Sequence, residues 1–118
     1  MRFLVVDDSA VDRQFLASML EELGHQVEVH ESTAGVIEKL EAGNYASMFL
    51  DIVMPEKNGY KFLRELRLNQ RTFHQHVIFY SSKRTALEVS YGLEQVGVND
   101  YLTKPITRER LEQALRRI

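Results

Sequence analysis

Short apolar runs alternate with stretches of helical periodicity from one end of this chain to the other, and no other feature constrains the fold as much. A strand buried on both faces reads as a continuous apolar run, and parallel strands need a crossover of a dozen or more residues between them, usually a helix. Five runs fit: Phe3–Val6, Val27–Val29, Met48–Leu50, Val77–Tyr80 and Tyr101–Thr103. Four are nearly unbroken, whereas Gln26-Val27-Glu28-Val29 alternates and suits a sheet edge.

The intervening stretches predict five helices. In the first, Val11, Phe15, Met19 and Leu23 recur every four residues, Leu16 and Leu20 widen the stripe, Ser9 is the N-cap and Gly24 the stop. The second starts near Ser32-Thr33, carries Val36, Ile37 and Leu40, and ends before Gly43. The third runs from about Asn58 to Leu68 with Phe62, Leu63 and Leu66 inward, and the fourth spans roughly Arg84 to Gln95. The fifth follows Thr107 as cap, with Leu111, Ala114, Leu115 and Ile118 apolar. Right-handed crossovers and an edge position for the second strand then give an α/β fold, a doubly wound five-stranded parallel sheet in the order 2-1-3-4-5.

The 118 residues suit one domain, residues 1–118, and 44% hydrophobic against 27% charged is too apolar for a disordered chain. A net charge of -2 offers no basic field for nucleic acid, and the lack of cysteine removes disulfides, thiolate zinc sites and thiol nucleophiles. The first apolar run meets Asp7-Asp8 after four residues, too soon for a signal peptide or membrane span, so a cytoplasmic location is expected. An effector domain beyond Ile118 is left open.

Ligands of an open parallel sheet bind outside the carboxyl ends of its strands, near the point where strand order reverses. Asp7 and Asp8 follow the first strand and Asp51 follows the third, so neighbouring strands aim three carboxylates into one crevice. Two carboxylates about 5 Å apart repel by roughly 3 kcal/mol at an effective dielectric near 20. Such a set calls for a divalent cation, and oxygen donors from carboxylates and water suit Mg²⁺. A lone aspartate would more simply cap a helix, as Asp8-Ser9 can, but three at adjacent strand ends make that reading poor. Ser81-Ser82 and Lys104-Pro105 end the fourth and fifth strands at the same edge, and a lysine with a hydroxyl can meet phosphoryl oxygens there. Metal, carboxylate and lysine together suggest attack by Asp51 on phosphorus to form an acyl phosphate.

Val5-Val6-Asp7-Asp8-Ser9, Asp51-Ile52-Val53-Met54-Pro55 with Gly59, Ser81, and Asp100-Tyr101-Leu102-Thr103-Lys104-Pro105 resemble, in that order, the receiver domain of two-component response regulators. The resemblance runs from Phe3 to the last helix and implies the flavodoxin-like arrangement. It implies phosphorylation of Asp51 by a histidine kinase or phosphotransfer protein. Mg²⁺ would be held directly by Asp8, Asp51 and the backbone carbonyl of Val53, and by Asp7 mostly through water. Lys104 would contact the phosphoryl group and form a cis bond to Pro105. Ser81 would be the switch hydroxyl, Tyr101 the aromatic that turns inward behind it, and the fourth helix, fifth strand and fifth helix the surface read by a downstream protein or effector domain. Homodimerisation on phosphorylation stays open.

Ser81 to Lys104 is one residue longer than the family pattern, which makes Ser82 a rival for the switch position; strand alternation favours Ser81. Val53 puts an apolar side chain where many relatives have a polar one. His74 and His76 lack a third ligand and read as solvated, as does Arg116-Arg117 at a helix terminus. Two other readings remain: a phosphorylation-independent interaction domain, and a small aspartyl-phosphate phosphohydrolase. The second lacks a cap insertion and a second acid at Val53. A nucleotide site is disfavoured because no glycine-rich loop follows the first strand.

Overall fold

All five apolar runs pair as parallel strands. The structure, a computed structural model, describes residues 1–55, 57–82, 88, 89, 91, 94 and 97–118. β1 (Arg2–Val6) lies between β2 (Gln26–His30) and β3 (Ser47–Leu50), and the sheet continues through β4 (Val77–Ser81) to β5 (Asp100–Thr103), in the expected order 2-1-3-4-5. The helices are α1 (Ala10–Glu22), α2 (Val36–Ala42), α3 (Gly59–Leu68) and α4 (Arg108–Arg116). Four helices are therefore delimited among the described residues, not five. The helix expected over roughly Arg84 to Gln95 lies outside them, apart from Glu88, Val89, Tyr91 and Glu94, which are helical. No helix among the described residues is long and apolar enough to cross a membrane.

Strand alternation divides the core between the two faces of the sheet. Leu4, Val6, Met48, Leu50, Val77 and Phe79 meet α2 and α3 through Val36, Leu40, Phe62, Leu63 and Leu66. Phe3, Val5, Phe49, Ile78 and Tyr80 meet α1 and α4 through Leu16, Leu20, Leu111 and Ala114. Ser9, Asn58 and Thr107 cap α1, α3 and α4, each accepting from a backbone N–H three residues on.

Three details differ from the sequence reading. In α1 the buried residues are Leu16, Ala17 and Leu20, while Val11 is 78% and Phe15 50% exposed. A four-residue repeat advances about 40° past a full turn at each step, so a stripe begun at Val11 winds away from the sheet. Helix α2 begins at Val36, because Ser32 accepts from Ala34 N in a turn and Gly35, at φ +75°, precedes the helix in the left-handed region. His76 is half-buried, its Nδ1 2.8 Å from Ser47 Oγ, and not solvated.

Two contacts fix opposite ends of the sheet. At the carboxyl end, a Cβ on Gly59 would lie 2.7 Å from the Asp51 carbonyl oxygen, so only glycine lets α3 start against the backbone that carries Asp51. At the amino end, the Arg67 guanidinium donates to the carbonyls of Phe73, Gln75 and Gly97 and to Asn99 Oδ1, at 2.7–3.3 Å. Asn99 Oδ1 also accepts from Val77 N at 2.8 Å, so one side chain bridges the starts of β4 and β5.

Gly59→Ala is expected to lower unfolding stability by about 1–3 kcal/mol, read from urea denaturation. Burial pushes His76 below its ordinary 6.5, so the unfolded chain takes up a proton more readily than the native one. Its stabilising contribution is complete above pH 6.5 and lost as pH falls below it. His76→Gln is expected to remove part of the fall in Tm between about pH 7 and 5, measured by calorimetry.

Candidate functional site

Asp51 N donates to the Val6 carbonyl at 3.0 Å, which carries the ladder between β1 and β3 one step past the strands and sets Asp51 beside Asp7. Asp7 has no exposed surface, Asp51 is 5% exposed, and Asp8 faces solvent. Each offers a carboxylate oxygen within 4.8 Å of the other two.

Both oxygens of the Asp7 carboxylate accept hydrogen bonds. Its Oδ1 accepts from Ser9 N at 2.9 Å, and its Oδ2 accepts from Tyr80 Oη at 2.6 Å and Lys104 Nζ at 3.0 Å. Arg13 donates to the Asp7 main-chain carbonyl at 2.7 Å. Lys104 follows β5 through a cis bond to Pro105 and serves three carboxylates, with Nζ 2.9 Å from Asp12, 3.0 Å from Asp7 and 3.5 Å from Asp51. Its ammonium also lies 4.8 Å from the centre of the Tyr80 ring. Burial alone would lower the Lys104 pKa, but its hydrogen bonds to Asp12 and Asp7 outweigh that and hold it above the ordinary value.

Burial, reinforced by the charge on Asp7 and opposed by Lys104, pushes Asp51 up to about 7. One lysine does not neutralise this cluster, and the excess negative charge is what a divalent cation would offset. Carboxylate oxygens that all lie within 4.8 Å of one another would suit a small divalent ion such as Mg²⁺, which usually keeps several waters.

The expected switch residues lie on the opposite face of the sheet. Ser81 ends β4 fully buried, whereas Ser82 is exposed. Tyr101 is already inward at 8% exposure, and burial is the main cause that pushes its pKa up to about 12, with Ser81 acting in the opposite direction. The Val53 side chain is exposed.

Asp12 and Tyr80 were missed in the sequence reading. Tyr80 reads from the sequence only as a strand residue, yet alternation along β4 puts it on the same face as Asp7, Asp51 and Lys104. Asp12 stands one turn into α1 behind its Ser9 cap, at a spot where an acid has an ordinary role toward the helix dipole.

Two hollows flank the crevice. One, of about 860 Å³, runs from Asp8 past Ser32, Thr33, Met54 and Lys57. The other, of about 50 Å³, lies between Asp12, Phe15, Tyr80 and Lys104. Asp51 lines neither.

The family model for the response regulator receiver domain matches residues 3–116. Among curated relatives, PilH of Pseudomonas aeruginosa is 36% identical over 110 residues, covering 93% of this chain and 90% of PilH. The transcriptional regulatory protein CiaR of Streptococcus pneumoniae is 30% identical over 98% of this chain but only 50% of its own length. Among solved structures, CheY4 of Vibrio cholerae superposes with a TM-score of 0.87 at 24% identity, over 99% of this chain and 97% of that one. The receiver domain of the sensor histidine kinase PA1611 from Pseudomonas aeruginosa, 28% identical with a TM-score of 0.85 over 98% and 94% of the two chains, was solved with a magnesium ion coordinated in its active-site cleft. A parallel five-stranded sheet with acids at the ends of β1 and β3 and a lysine after β5 is the architecture of a two-component signalling module. The chain belongs to the response regulator receiver domain family.

The unfolded Asp51 carboxyl ionises near 3.8 and the folded one near 7. Its cost to the metal-free fold therefore grows across that interval and is complete above it. Asp51→Asn is expected to stabilise the metal-free domain at pH 8 by on the order of 2 kcal/mol, with the gain fading toward pH 4, as read by chemical denaturation in EDTA. An unchanged or lower stability at pH 8 would refute the assignment of excess negative charge.

Proposed function

We propose that Asp51 accepts a phosphoryl group from a histidine kinase or phosphotransfer protein in a Mg²⁺-dependent reaction, and that the resulting change is passed to a downstream protein or an effector domain in the cytoplasm. The observation that carries this reading is the buried Asp51 carboxyl, crowded by Asp7 and Asp8 yet only 3.5 Å from Lys104 Nζ. A carboxylate oxygen of Asp51 attacks phosphorus, the phosphorus–nitrogen bond of the donor phosphohistidine breaks, and its electron pair leaves on the imidazole. Lys104, already beside Asp51, pairs with an oxygen of the transferred group.

Asp8, Asp51 and the Val53 carbonyl would ligate the metal directly, with Asp7 acting mostly through water. When bound, Mg²⁺ lets Asp51 ionise at neutral pH and offsets charge on the phosphoryl oxygens. The chain promotes only its own phosphorylation and dephosphorylation, and Asp51 lies outside both flanking hollows, which suits a donor presented by another protein better than an enclosed small substrate.

The new oxygens draw the Ser81 hydroxyl toward the phosphoryl group, and Tyr101 couples the site to the face of β5 and α4. Moving such a switch from 1:99 to 99:1 takes about 5.5 kcal/mol, within reach of two or three charge-assisted contacts.

Incubation with acetyl phosphate and Mg²⁺ is expected to add one phosphoryl group to the intact mass of the native chain and none to Asp51→Asn or to samples in EDTA. Equal labelling of Asp51→Asn would overturn the nucleophile, and no labelling of the native chain would favour a phosphorylation-independent module.

A further inference from the structure

A buried tyrosine hydroxyl needs a partner, and a buried carboxylate needs donors; in this chain each answers the other. Tyr80 is 1% exposed and Asp7 has no exposed surface, yet both are satisfied by the 2.6 Å bond from the phenol to Asp7 Oδ2. Ser9 N holds Oδ1, so the two carboxylate oxygens are gripped from different directions and the group cannot rotate without breaking a bond. The Tyr80 ring is itself fixed, edge to face with Phe49 at 6.5 Å. Over its face sits the Lys104 ammonium, 4.8 Å from the ring centre, held there together with its bonds to Asp7 and to the more exposed Asp12.

We propose that Tyr80 is a positioning residue for the phosphoacceptor site: its hydroxyl aligns Asp7 toward the metal position, and its ring keeps Lys104 between Asp7, Asp12 and Asp51. This rests on the phosphoacceptor reading above and adds to it a residue two strands away from Asp7 in the sheet. Both functions sit on one rigid side chain, so the metal-binding and phosphoryl-contacting groups keep a constant spacing. A phenylalanine would fill the same core volume and keep the ring under Lys104 while releasing Asp7. A leucine would release both.

The test is calorimetric titration of MgCl₂ into the full native chain, Tyr80→Phe and Tyr80→Leu, beside acetyl phosphate labelling at saturating Mg²⁺. Tyr80→Phe is expected to bind Mg²⁺ about tenfold more weakly, the cost typical of removing a residue that orients a metal ligand. Tyr80→Leu is expected to add a slower phosphoryl uptake that saturating metal does not restore. A core-filling role alone would change Tm and leave the Mg²⁺ Kd in place, so a Tyr80→Phe Kd within about twofold of native, or tighter, overturns the proposal. Should Tyr80→Leu fail to fold, the near-isosteric phenylalanine variant still decides. A native chain that binds Mg²⁺ but takes no phosphoryl group defeats the phosphoacceptor reading while leaving the affinity comparison to judge Tyr80. A native chain that binds no Mg²⁺ defeats both.

Discussion

The rest of the structure depends on a carboxylate with no exposed surface. Burying an ion costs several kcal/mol unless its lone pairs are met, and Asp7 meets the cost with a backbone amide, a phenol and an ammonium. Those three donors come from the start of α1, from β4 and from the turn after β5. The charge at the end of β1 thus ties the centre of the sheet to α1 and to the β4–β5 side. Lys104 is one positive charge set among three negative ones; burial and the charge on Asp7 outweigh it at Asp51 and make the crevice receptive to a divalent cation.

The sheet separates the acidic crevice from the expected switch residues. Asp7, Asp51, Tyr80 and Lys104 follow the alternation that packs against α1 and α4, whereas Ser81 and Tyr101 follow the one that packs against α2 and α3. Tyr80 and Ser81 are consecutive on β4 and point to opposite faces. A rearrangement about that one peptide would therefore be felt on both sides of the sheet.

Strand order, the acidic crevice and the lysine were legible because they rest on apolar runs and on polar residues at strand ends, both local signals. The α1 stripe misled because a repeat of four approximates 3.6 only over two turns; the sheet selected Leu16 and Leu20, and left Val11 and Phe15 outside. Gly35 was not read as the end of a loop, since a left-handed glycine has no signature apart from its neighbours. The Tyr80 contact was within reach. Alternation along β4 puts Tyr80 with Ile78 on the face that Phe49 and Val5 share with Asp51 and Asp7, but only pairing across β1, β3 and β4 brings its hydroxyl to Asp7. His76 was misplaced for the same reason, its partner Ser47 being 29 residues away.

Arg67 gives this architecture a direction. Its guanidinium clasps three carbonyls and an asparagine at the amino ends of β4 and β5, far from the acids. Strands pinned there cannot slip lengthwise to absorb a disturbance at the other end. What remains for these two strands is bending and side-chain rotation near the free tips, as in a pair of cantilevers with a common root. Such a device converts a small local force into displacement where the strands emerge, and it leaves the fold's foundation unmoved.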